Sequence, residues 1–349
     1  MGAARPDRSG QAVFAWTLTM TEPVLALMGP TASGKSALAE QLADTFNGEL
    51  ISVDSALVYQ GLAIGAAKPD YPHHLVHIRD PAEVYTAADF ARDARDCIND
   101  IRARGRRPIL VGGSMLYFRA LLQGLDDIPN IDPAIRAAIE TQALTLGWPA
   151  LHQQLAEVDP VAAAQIHPNH SQRICRALEV FRGTGKALSE WQQGGETSAV
   201  EADTDYECIA LCPEQRTTLH ARIAQRLDAM FDAGLVEEVT ALYQRGDLHT
   251  DLPAVRAVGY RQVWSFLQGE CSLDECREKV LAATRQLAKR QITWLRSWPA
   301  LSWVLTDPKG RSLPADKTEE SGAAAEPMTP ITPRPPIWKI RIMQLMRNF

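Results

Sequence analysis

The sequence predicts an α/β protein: a P-loop and a doubly wound parallel sheet, with a helical insertion domain and C-terminal helices. An apolar run at residues 24–28 leads directly into GPTASGKS at residues 29–36, and the residues that follow place apolar side chains at helical spacing. Strand, glycine-rich loop and helix in this order are typical of a P-loop. Two further apolar runs, at residues 49–53 and 108–111, alternate with predicted helices, which indicates a parallel sheet.

The order of helix and strand signals divides the chain into five segments. After the third run the strand signals stop, and Asp132-Pro133 and Asp159-Pro160 each predict a helix start, because an N-cap residue precedes proline at the first helical position. The apolar run at residues 208–212 returns to the sheet. We expect a disordered N-terminal extension at 1–20, the first part of the core at 21–130, the helical insertion at 131–195, the rest of the core with C-terminal helices at 196–306, and a disordered tail at 307–349.

The composition is typical of a globular cytoplasmic protein. Apolar residues make up 46% of 349, which is enough for a substantial core, and no stretch approaches the roughly 20 uncharged apolar residues of a membrane helix. The six cysteines show neither CxxC pairs nor zinc-finger spacing, so we expect reduced structural thiols. The net charge of -6 means that any site for nucleic acid must be a local basic patch.

The segment GPTASGKS predicts a cradle for a di- or triphosphate. Backbone N–H groups in residues 32–36 can point at phosphate oxygens, and the helix N-terminus adds partial positive charge. A lysine and a hydroxyl at the end of such a loop reach phosphate and a magnesium ion respectively. A purely structural turn is the alternative. The residues predicted to bind the phosphates are Gly29, Pro30, Thr31, Ala32, Ser33, Gly34, Lys35 and Ser36, with Ser36 as the metal ligand.

The position of the acidic residue argues against a nucleotide hydrolase. Such an enzyme needs a carboxylate for its magnesium ion at the end of a neighbouring strand, usually after an apolar run. Here the run at residues 109–111 ends in Gly-Gly-Ser, and the acid, Asp54, follows the second predicted strand instead. This arrangement favours group transfer, with Asp54 as a general base at the carboxyl edge of the sheet. The alternative is an aspartate that caps the following loop.

Five motifs, in the same order along the chain, resemble the bacterial tRNA dimethylallyltransferases, the tRNA isopentenyl diphosphate (IPP) transferase family. The resemblance spans about residues 24–303, and only the P-loop among the five is shared with unrelated families. The motifs are GPTASGKS, ISVDSALVYQGLAIGAAKP at 51–69, LVGGSMLYFRALLQGL at 110–125, RAVGYRQVW at 256–264 and ATRQLAKRQITWLR at 283–296.

The resemblance implies a reaction and a set of catalytic residues. The loop would hold the diphosphate of dimethylallyl diphosphate, and the prenyl group would pass to N6 of the adenosine at position 37, just 3′ of the anticodon. Mg²⁺ would be the cofactor, and diphosphate would be a leaving group. By the same resemblance, Lys35 and Ser36 neutralise the leaving group, Asp54 removes the N6 proton, Arg222 helps to bind the diphosphate and Ser114 contacts the adenosine.

The resemblance also implies which residues contact the anticodon arm of tRNA. Two basic segments, at residues 172–186 and 281–298, combine several cations with at most one acid. Taken alone, each is equally an amphipathic helix with a solvated charged face. The implied tRNA contacts are Asp54, Ser55, Ala56, Leu57, Ser114, Arg136, Gln172, Arg173, Ile174, Cys175, Arg176, Arg256, Ala257, Val258, Gly259, Tyr260, Arg261, Lys289, Arg290, Gln291, Ile292, Thr293, Trp294, Leu295 and Arg296.

Three other functions stay open on the sequence alone. A related enzyme could prenylate free AMP or ADP, a small-molecule kinase could use the same P-loop, and a non-catalytic module could bind RNA through the basic segments. Three positions depart from the family pattern: Ser36 and Ser114 each replace a threonine and keep a hydroxyl, whereas Ala66 stands where IGTAKP is usual and has no hydroxyl to form a hydrogen bond. We expect a monomer with tRNA and dimethylallyl diphosphate as partners and no membrane association, although nothing in the sequence determines the oligomeric state.

Overall fold

The structure, a computed structural model, describes residues 23–125, 128–193 and 205–313. The chain forms two compact units, one made of Met1–Met115 with Asp203–Phe349 and the other of Leu116–Ala202. The second unit contains the predicted helical insertion at 131–195 and extends beyond it at both ends. The predicted N-terminal extension at 1–20 lies outside the described residues, as does the tail from residue 314 onwards.

A six-stranded, fully parallel sheet organises the first unit, as the sequence predicts. Its strand order is β3-β2-β4-β1-β5-β6, so the P-loop strand β1 lies between β4 and β5. The sequence did not predict β3 and β6, because a two-residue histidine strand and a half-buried edge strand carry little apolar signal. The strands are β1 (Val24–Met28), β2 (Gly48–Val53), β3 (His73–His74), β4 (Arg107–Gly112), β5 (Tyr206–Pro213) and β6 (Ser302–Thr306).

Twelve helices are present in the described residues, and several begin at the predicted signals. Asp132 and Asp159 accept hydrogen bonds from Ala134 N–H and Ala162 N–H, which confirms both as N-caps. The helices are α1 (Lys35–Thr45), α2 (Ala87–Ala103), α3 (Met115–Leu122), α4 (Pro133–Leu146), α5 (Trp148–Val158), α6 (Pro160–Gln165), α7 (Ser171–Thr184), α8 (Leu188–Gln193), α9 (Arg216–Asp232), α10 (Leu235–Tyr243), α11 (Tyr260–Leu267) and α12 (Leu273–Arg296).

The core of the first unit holds α1 against the sheet. Leu38 and Leu42 of α1 pack with Leu25, Leu27 and Ile109 of the central strands, all five almost fully buried. Burial of each such side chain contributes roughly 1.5–3 kcal/mol relative to leaving it in water. Because both ends of the loop between β1 and α1 are fixed in this way, the loop is held at the carboxyl edge of the sheet, where ligands of doubly wound sheets bind.

The described part of the second unit contains helices and no strand, as the sequence predicts. Its own core contains Ile139 of α4, Leu151 and Leu155 of α5, and Ile174 and Leu178 of α7, each 2% exposed or less. Asp159 ties two of its helices together, because its carboxylate accepts from Ala162 N–H within α6 and from Ser189 N–H in α8. This unit therefore has a hydrophobic core independent of the sheet.

The six cysteines are free thiols, as predicted. Burial raises the pKa of Cys208, Cys212 and Cys276 to about 11 in each case. A thiol that stays protonated is a poor nucleophile, so these side chains act as apolar packing groups. Among the helices that the structure describes, none is both long and apolar enough to cross a membrane.

Candidate active site

The P-loop adopts the backbone conformation that turns its amides towards an anion. Ala32 and Gly34 have positive φ angles of 62° and 95°, and α1 begins at the next residue, Lys35. Alternation of this kind presents successive N–H groups on one side of the chain, at a helix N-terminus. Gly29 is required by a close approach, since a Cβ there would lie 2.5 Å from the backbone oxygen of Leu211.

A cavity of about 100 Å³ lies beside this loop, and it brings together three of the four catalytic residues predicted from distant parts of the sequence. Lys35 and Ser36 line it from the start of α1, and Asp54 lines it from the end of β2. Arg226 of α9 and Gln291 of α12 also line it, although neither was predicted as a catalytic residue, and the other polar residues of the lining are Thr31, Ser52 and His73. The cavity therefore combines cations, a hydroxyl and one carboxylate around the phosphate loop.

Lys35 is half-buried in this cavity, and its pKa is strongly lowered. Burial, and then the nearby Arg226, lower the pKa of its ammonium to about 8, and Asp54 acts in the opposite direction. Its Nζ donates a hydrogen bond to the backbone oxygen of Pro30, at 3.2 Å. Two cations held close together out of water are destabilised until an anion joins them. The charge arrangement favours a bound phosphate group.

The geometry of Asp54 is compatible with both roles that the sequence left open, a cap of the following loop and a general base. Its Oδ1 accepts hydrogen bonds from Ala56 N–H at 2.8 Å and Leu57 N–H at 3.3 Å, so the carboxylate caps the following turn. Oδ2 accepts no hydrogen bond from the described residues. One oxygen is thus fixed while the other stays available in the cavity, which is the arrangement a general base needs.

Arg226, rather than the predicted Arg222, places its side chain in the cavity. The two residues are one helical turn apart on α9, and only Arg226 lines the cavity. Burial lowers the pKa of Arg226, and Asp54 partly offsets that effect. The guanidinium of Arg222 donates instead to the backbone oxygens of Ser33, at 3.5 Å, and Pro308, at 3.2 Å. The repeat in LHARIAQRL signals two candidate arginines, but only the packing distinguishes them.

Gln291 joins the P-loop to the end of β4. Its Oε1 accepts from Thr31 N–H at 2.9 Å, and its Nε2 donates to the backbone oxygen of Gly113, also at 2.9 Å. A Cβ on Gly113 would lie 2.4 Å from that Nε2, so the close approach requires glycine. The side chain of Gln291 is buried, and its role in this structure is to fix two walls of the cavity.

Two serines link the ends of β2 and β4 next to Asp54. The Oγ of Ser114 accepts from Ser55 N–H at 3.0 Å and donates to Ser55 Oγ at 3.3 Å. Ser55 is exposed and Ser114 partly so. Ala66, one of the departures from the family pattern, lines the cavity and uses its backbone N–H to donate to the hydroxyl of Tyr260 at 3.2 Å.

A second cavity, of about 70 Å³, is mainly apolar and shares Thr31, Arg226 and Leu287 with the first. Its remaining lining comes largely from aliphatic side chains of α9, α10 and α12. These aliphatic residues are Ile223, Leu227, Met230, Leu235, Val280 and Leu287. An apolar group attached to a phosphate at the P-loop would find a matching surface here.

The residues predicted to contact tRNA in the first unit divide by exposure. The cations are exposed, together with Thr293, whereas Tyr260 and Leu295, like Gln291, are buried and present no side chain to a partner. From residue 289 to the end of α12 the exposed residues recur at helical spacing and form a basic stripe, because three of the four are cations. The exposed cations are Arg256, Arg261, Lys289, Arg290 and Arg296.

The predicted contacts in the second unit divide in the same way. Gln172, Arg173 and Arg176 are exposed on α7, whereas Ile174 and Cys175 lie in the helical core. Two of the predicted arginines are already paired: Glu179 accepts from Arg136 at 3.2 Å and from Arg176 at 3.3 Å. Among the described residues, Arg173 forms no ion pair, so its charge is free for a phosphate.

The cavity of about 100 Å³ beside the P-loop is called the main cavity from here on. Its residues fit a magnesium ion that is also bound by phosphate oxygens. The hydroxyl of Ser36 and the carboxylate of Asp54 are hard oxygen ligands, of the type that Mg²⁺ prefers. The described residues contain no group of three or more His, Cys, Asp or Glu side chains that could hold a metal by themselves. Phosphate oxygens and water would have to supply the rest of the coordination.

Comparison with known proteins gives consistent matches over most of the chain. The model of the family described as IPP transferase matches residues 57–298, a range that begins after Asp54 and excludes the P-loop. A curated relative, tRNA dimethylallyltransferase 2 from Hahella chejuensis, is 53% identical over 302 residues, which cover 82% of this chain and 91% of the relative.

Two solved structures resemble the chain in fold as well as in sequence. One is the full-length tRNA isopentenylpyrophosphate transferase from Bacillus halodurans, with 36% identity, a TM-score of 0.59, and coverage of 86% of this chain and 94% of that one. The other is a eukaryotic dimethylallyltransferase acting on tRNA, with 27% identity, a TM-score of 0.67, and coverage of 82% and 73% respectively.

Proposed function

The chain belongs to the IPP transferase family and is by that membership an enzyme that prenylates tRNA; we propose that it transfers the dimethylallyl group of dimethylallyl diphosphate to N6 of adenosine 37, just 3′ of the anticodon. The products are N6-isopentenyladenosine and diphosphate. One observation carries this proposal: the main cavity combines a P-loop, two half-buried cations and a carboxylate with one oxygen free of hydrogen bonds, and it adjoins a mainly apolar cavity.

The cations act on the leaving group. As the bond between the allylic carbon and the diphosphate oxygen breaks, negative charge grows on the diphosphate, and Lys35 with Arg226 and the loop amides stabilises it. Arg222 positions the loop from outside the cavity, through the backbone oxygen of Ser33. Mg²⁺, when bound by Ser36 and phosphate oxygens, adds further neutralising charge. The aliphatic wall formed with Met230 and Leu235 accommodates the prenyl group.

Asp54 acts on the acceptor. An adenine N6 amine is a poor nucleophile because its lone pair is delocalised into the ring, so removal of its proton during attack lowers the barrier. Oδ2 of Asp54 can accept that proton, while the turn amides of Ala56 and Leu57 hold Oδ1 in place. The linked hydroxyls of Ser55 and Ser114 lie next to this carboxylate in sequence and at the neighbouring strand end, where they can contact the base.

The anticodon arm binds through exposed cations of both units. The target base must leave its stack to reach the cavity, at a cost of a few kcal/mol, and phosphate contacts offset that cost. The α12 stripe, with Lys289, Arg290 and Arg296, and Arg173 on α7 provide such contacts.

Mass spectrometry of tRNA nucleosides tests the proposal. The protein is incubated with dimethylallyl diphosphate, Mg²⁺ and an unmodified tRNA that has adenosine at position 37, and N6-isopentenyladenosine should form at that position. The same tRNA with guanosine 37 is the control. In parallel reactions, AMP, ADP or ATP is added as a competing substrate. Prenylated AMP or ADP, or phosphoryl transfer from ATP, would show a different substrate. If folded protein produced no prenylated tRNA, the proposal would be refuted.

A further inference from the structure

The loop at residues 63–69 forms one wall of the main cavity and has little side-chain packing of its own. Ala66, Ala67 and Pro69 line the cavity. Two hydrogen bonds lie within the loop, from Ala67 N–H to the backbone oxygen of Ile64 at 3.0 Å and from Lys68 N–H to that of Ala63 at 2.8 Å. Because four of its seven residues are alanine or glycine, the position of this wall depends strongly on what its remaining backbone groups bind.

Glu238, in the first turns of α10, binds most of those groups. Its Oε2 accepts from Ala63 N–H at 3.0 Å and from Ile64 N–H at 2.7 Å, and its Oε1 accepts from Gly65 N–H at 3.0 Å. Oε1 also accepts from the hydroxyl of Tyr260, at 2.6 Å. One carboxylate therefore takes four donors, three of them consecutive backbone amides, and hydrogen bonds to an ionised acceptor are the strong ones.

Tyr260, the first residue of α11, extends the same network. Its side chain is 1% exposed, and its hydroxyl accepts from Ala66 N–H at 3.2 Å while it donates to Glu238. The loop also lies directly on the aromatic ring, because a Cβ on Gly65 would be 2.7 Å from the ring carbon Cε2. Four consecutive amides, 63–66, are thus held by two side chains that do not themselves line the main cavity.

We propose that Glu238 and Tyr260 are positioning residues for the reaction: they hold the loop at 63–69 at the distance from Lys35 and Asp54 that the reacting groups require. The inference deepens the proposed function, on which its kinetic test rests. It also gives Tyr260, which the sequence assigned to tRNA contact, a different role. The carboxylate is needed specifically, since a glutamine offers one acceptor oxygen and turns its NH₂ group towards backbone donors.

The kinetic test uses Glu238→Gln and Tyr260→Phe in the full-length enzyme. Single-turnover rates are measured with saturating tRNA and dimethylallyl diphosphate and divided by the fraction of enzyme that binds tRNA. We expect both rates to fall roughly 10- to 100-fold, the effect of a small misplacement of reacting groups, with the tRNA Kd unchanged. Loss of folded protein alone would lower the binding-competent fraction and leave the corrected rate unchanged.

Tyr59→Phe is the matched control. Tyr59 is also fully buried, and its hydroxyl also accepts one backbone N–H, that of Tyr85, at 3.2 Å, but it does not line the main cavity. We expect this variant to keep the wild-type corrected rate. Equal rate losses in Tyr59→Phe and Tyr260→Phe, or a wild-type rate in Glu238→Gln, would overturn the proposal.

Hydrogen exchange tests, independently of enzyme activity, whether Glu238 holds the loop at residues 63–69. The amides of Ala63, Ile64 and Gly65 should exchange at least about tenfold faster in Glu238→Gln than in wild type, because local opening no longer breaks charge-assisted bonds. Unchanged exchange would overturn the proposal even if the rate fell. If the wild-type enzyme made no prenylated tRNA, the proposed function would fail, and the exchange rates would still decide whether Glu238 holds the loop.

Discussion

Replacement of Lys35 by methionine should stabilise the free protein while it abolishes turnover. Burial and Arg226 lower the pKa of this ammonium from 10.5 to about 8, which at about 1.4 kcal/mol per pH unit is about 3 kcal/mol of native-state destabilisation near neutral pH. The variant also loses the hydrogen bond to the backbone oxygen of Pro30, at a cost of about 1 kcal/mol. The net expected gain in the free energy of unfolding is about 2 kcal/mol.

The difference in the free energy of unfolding between Lys35→Met and wild type should decrease as the pH rises. Below about pH 8, Lys35 is protonated in the native and in the unfolded state, so the full destabilisation of the native state is present. Between about pH 8 and 10.5 only the unfolded state is protonated, and the stability of the wild type rises relative to that of the variant. Urea denaturation of wild type and Lys35→Met at pH 7 and at about pH 10.5 measures the difference, which should shrink at the higher pH.

The matched control is Lys289→Met, which removes an exposed ammonium and should leave the free energy of unfolding within about 0.5 kcal/mol of wild type at pH 7. Added diphosphate should raise the unfolding midpoint of wild type and much less that of Lys35→Met, since the anion binds to the charged ammonium. If Lys35→Met were no more stable than wild type at pH 7, or if the difference did not change with pH, the account of a strained buried cation would be refuted.

Three further predictions concern activity. Asp54→Asn should lower kcat roughly 100- to 10,000-fold with nearly unchanged tRNA binding, measured by single-turnover kinetics and filter binding, and equal losses in both would contradict the general-base assignment. Arg226→Gln should lower kcat/KM for dimethylallyl diphosphate roughly 100-fold and Arg222→Gln much less, because only Arg226 lines the cavity, and the reverse order would restore Arg222 to that role. Arg173→Gln should weaken tRNA binding and flatten the slope of log Kd against log salt concentration by about 1, whereas the ion-paired Arg176 should contribute less.

The parts of this protein that were predictable from sequence are those with local signals. Apolar runs identified β1, β2, β4 and β5, and Asp-Pro pairs marked the starts of two helices. The spacing of GPTASGKS and the position of Asp54 after a strand were sufficient to predict that both reach one cavity, because carboxyl ends of parallel strands share an edge.

The residues that were not predictable act through packing between distant segments. Nothing in LHARIAQRL distinguishes Arg222 from Arg226, since the two are one helical turn apart. Distant segments make the difference: Arg222 contacts the backbone of the P-loop and of the residues after β6, whereas Arg226 lines the main cavity. A motif match also treats Gln291 and Leu295 like their exposed neighbours, although the helix turns these side chains into the core. Local sequence gives the type of side chain available, and the fold decides which of them reaches the ligand.

The packing at the end of β4 explains why this P-loop serves transfer rather than hydrolysis. A hydrolase would need a carboxylate at this strand end, but a Cβ on Gly112 would lie 2.1 Å from the backbone oxygen of Val53, and one on Gly113 would displace Gln291. An acidic side chain in place of Gly112 therefore cannot be accommodated without separating β4 from β2. Asp54 is then the one acidic residue among those that line the main cavity, and its Oδ2 accepts no hydrogen bond from the described residues. The choice between the two chemistries is thus made by how closely the strand ends approach each other.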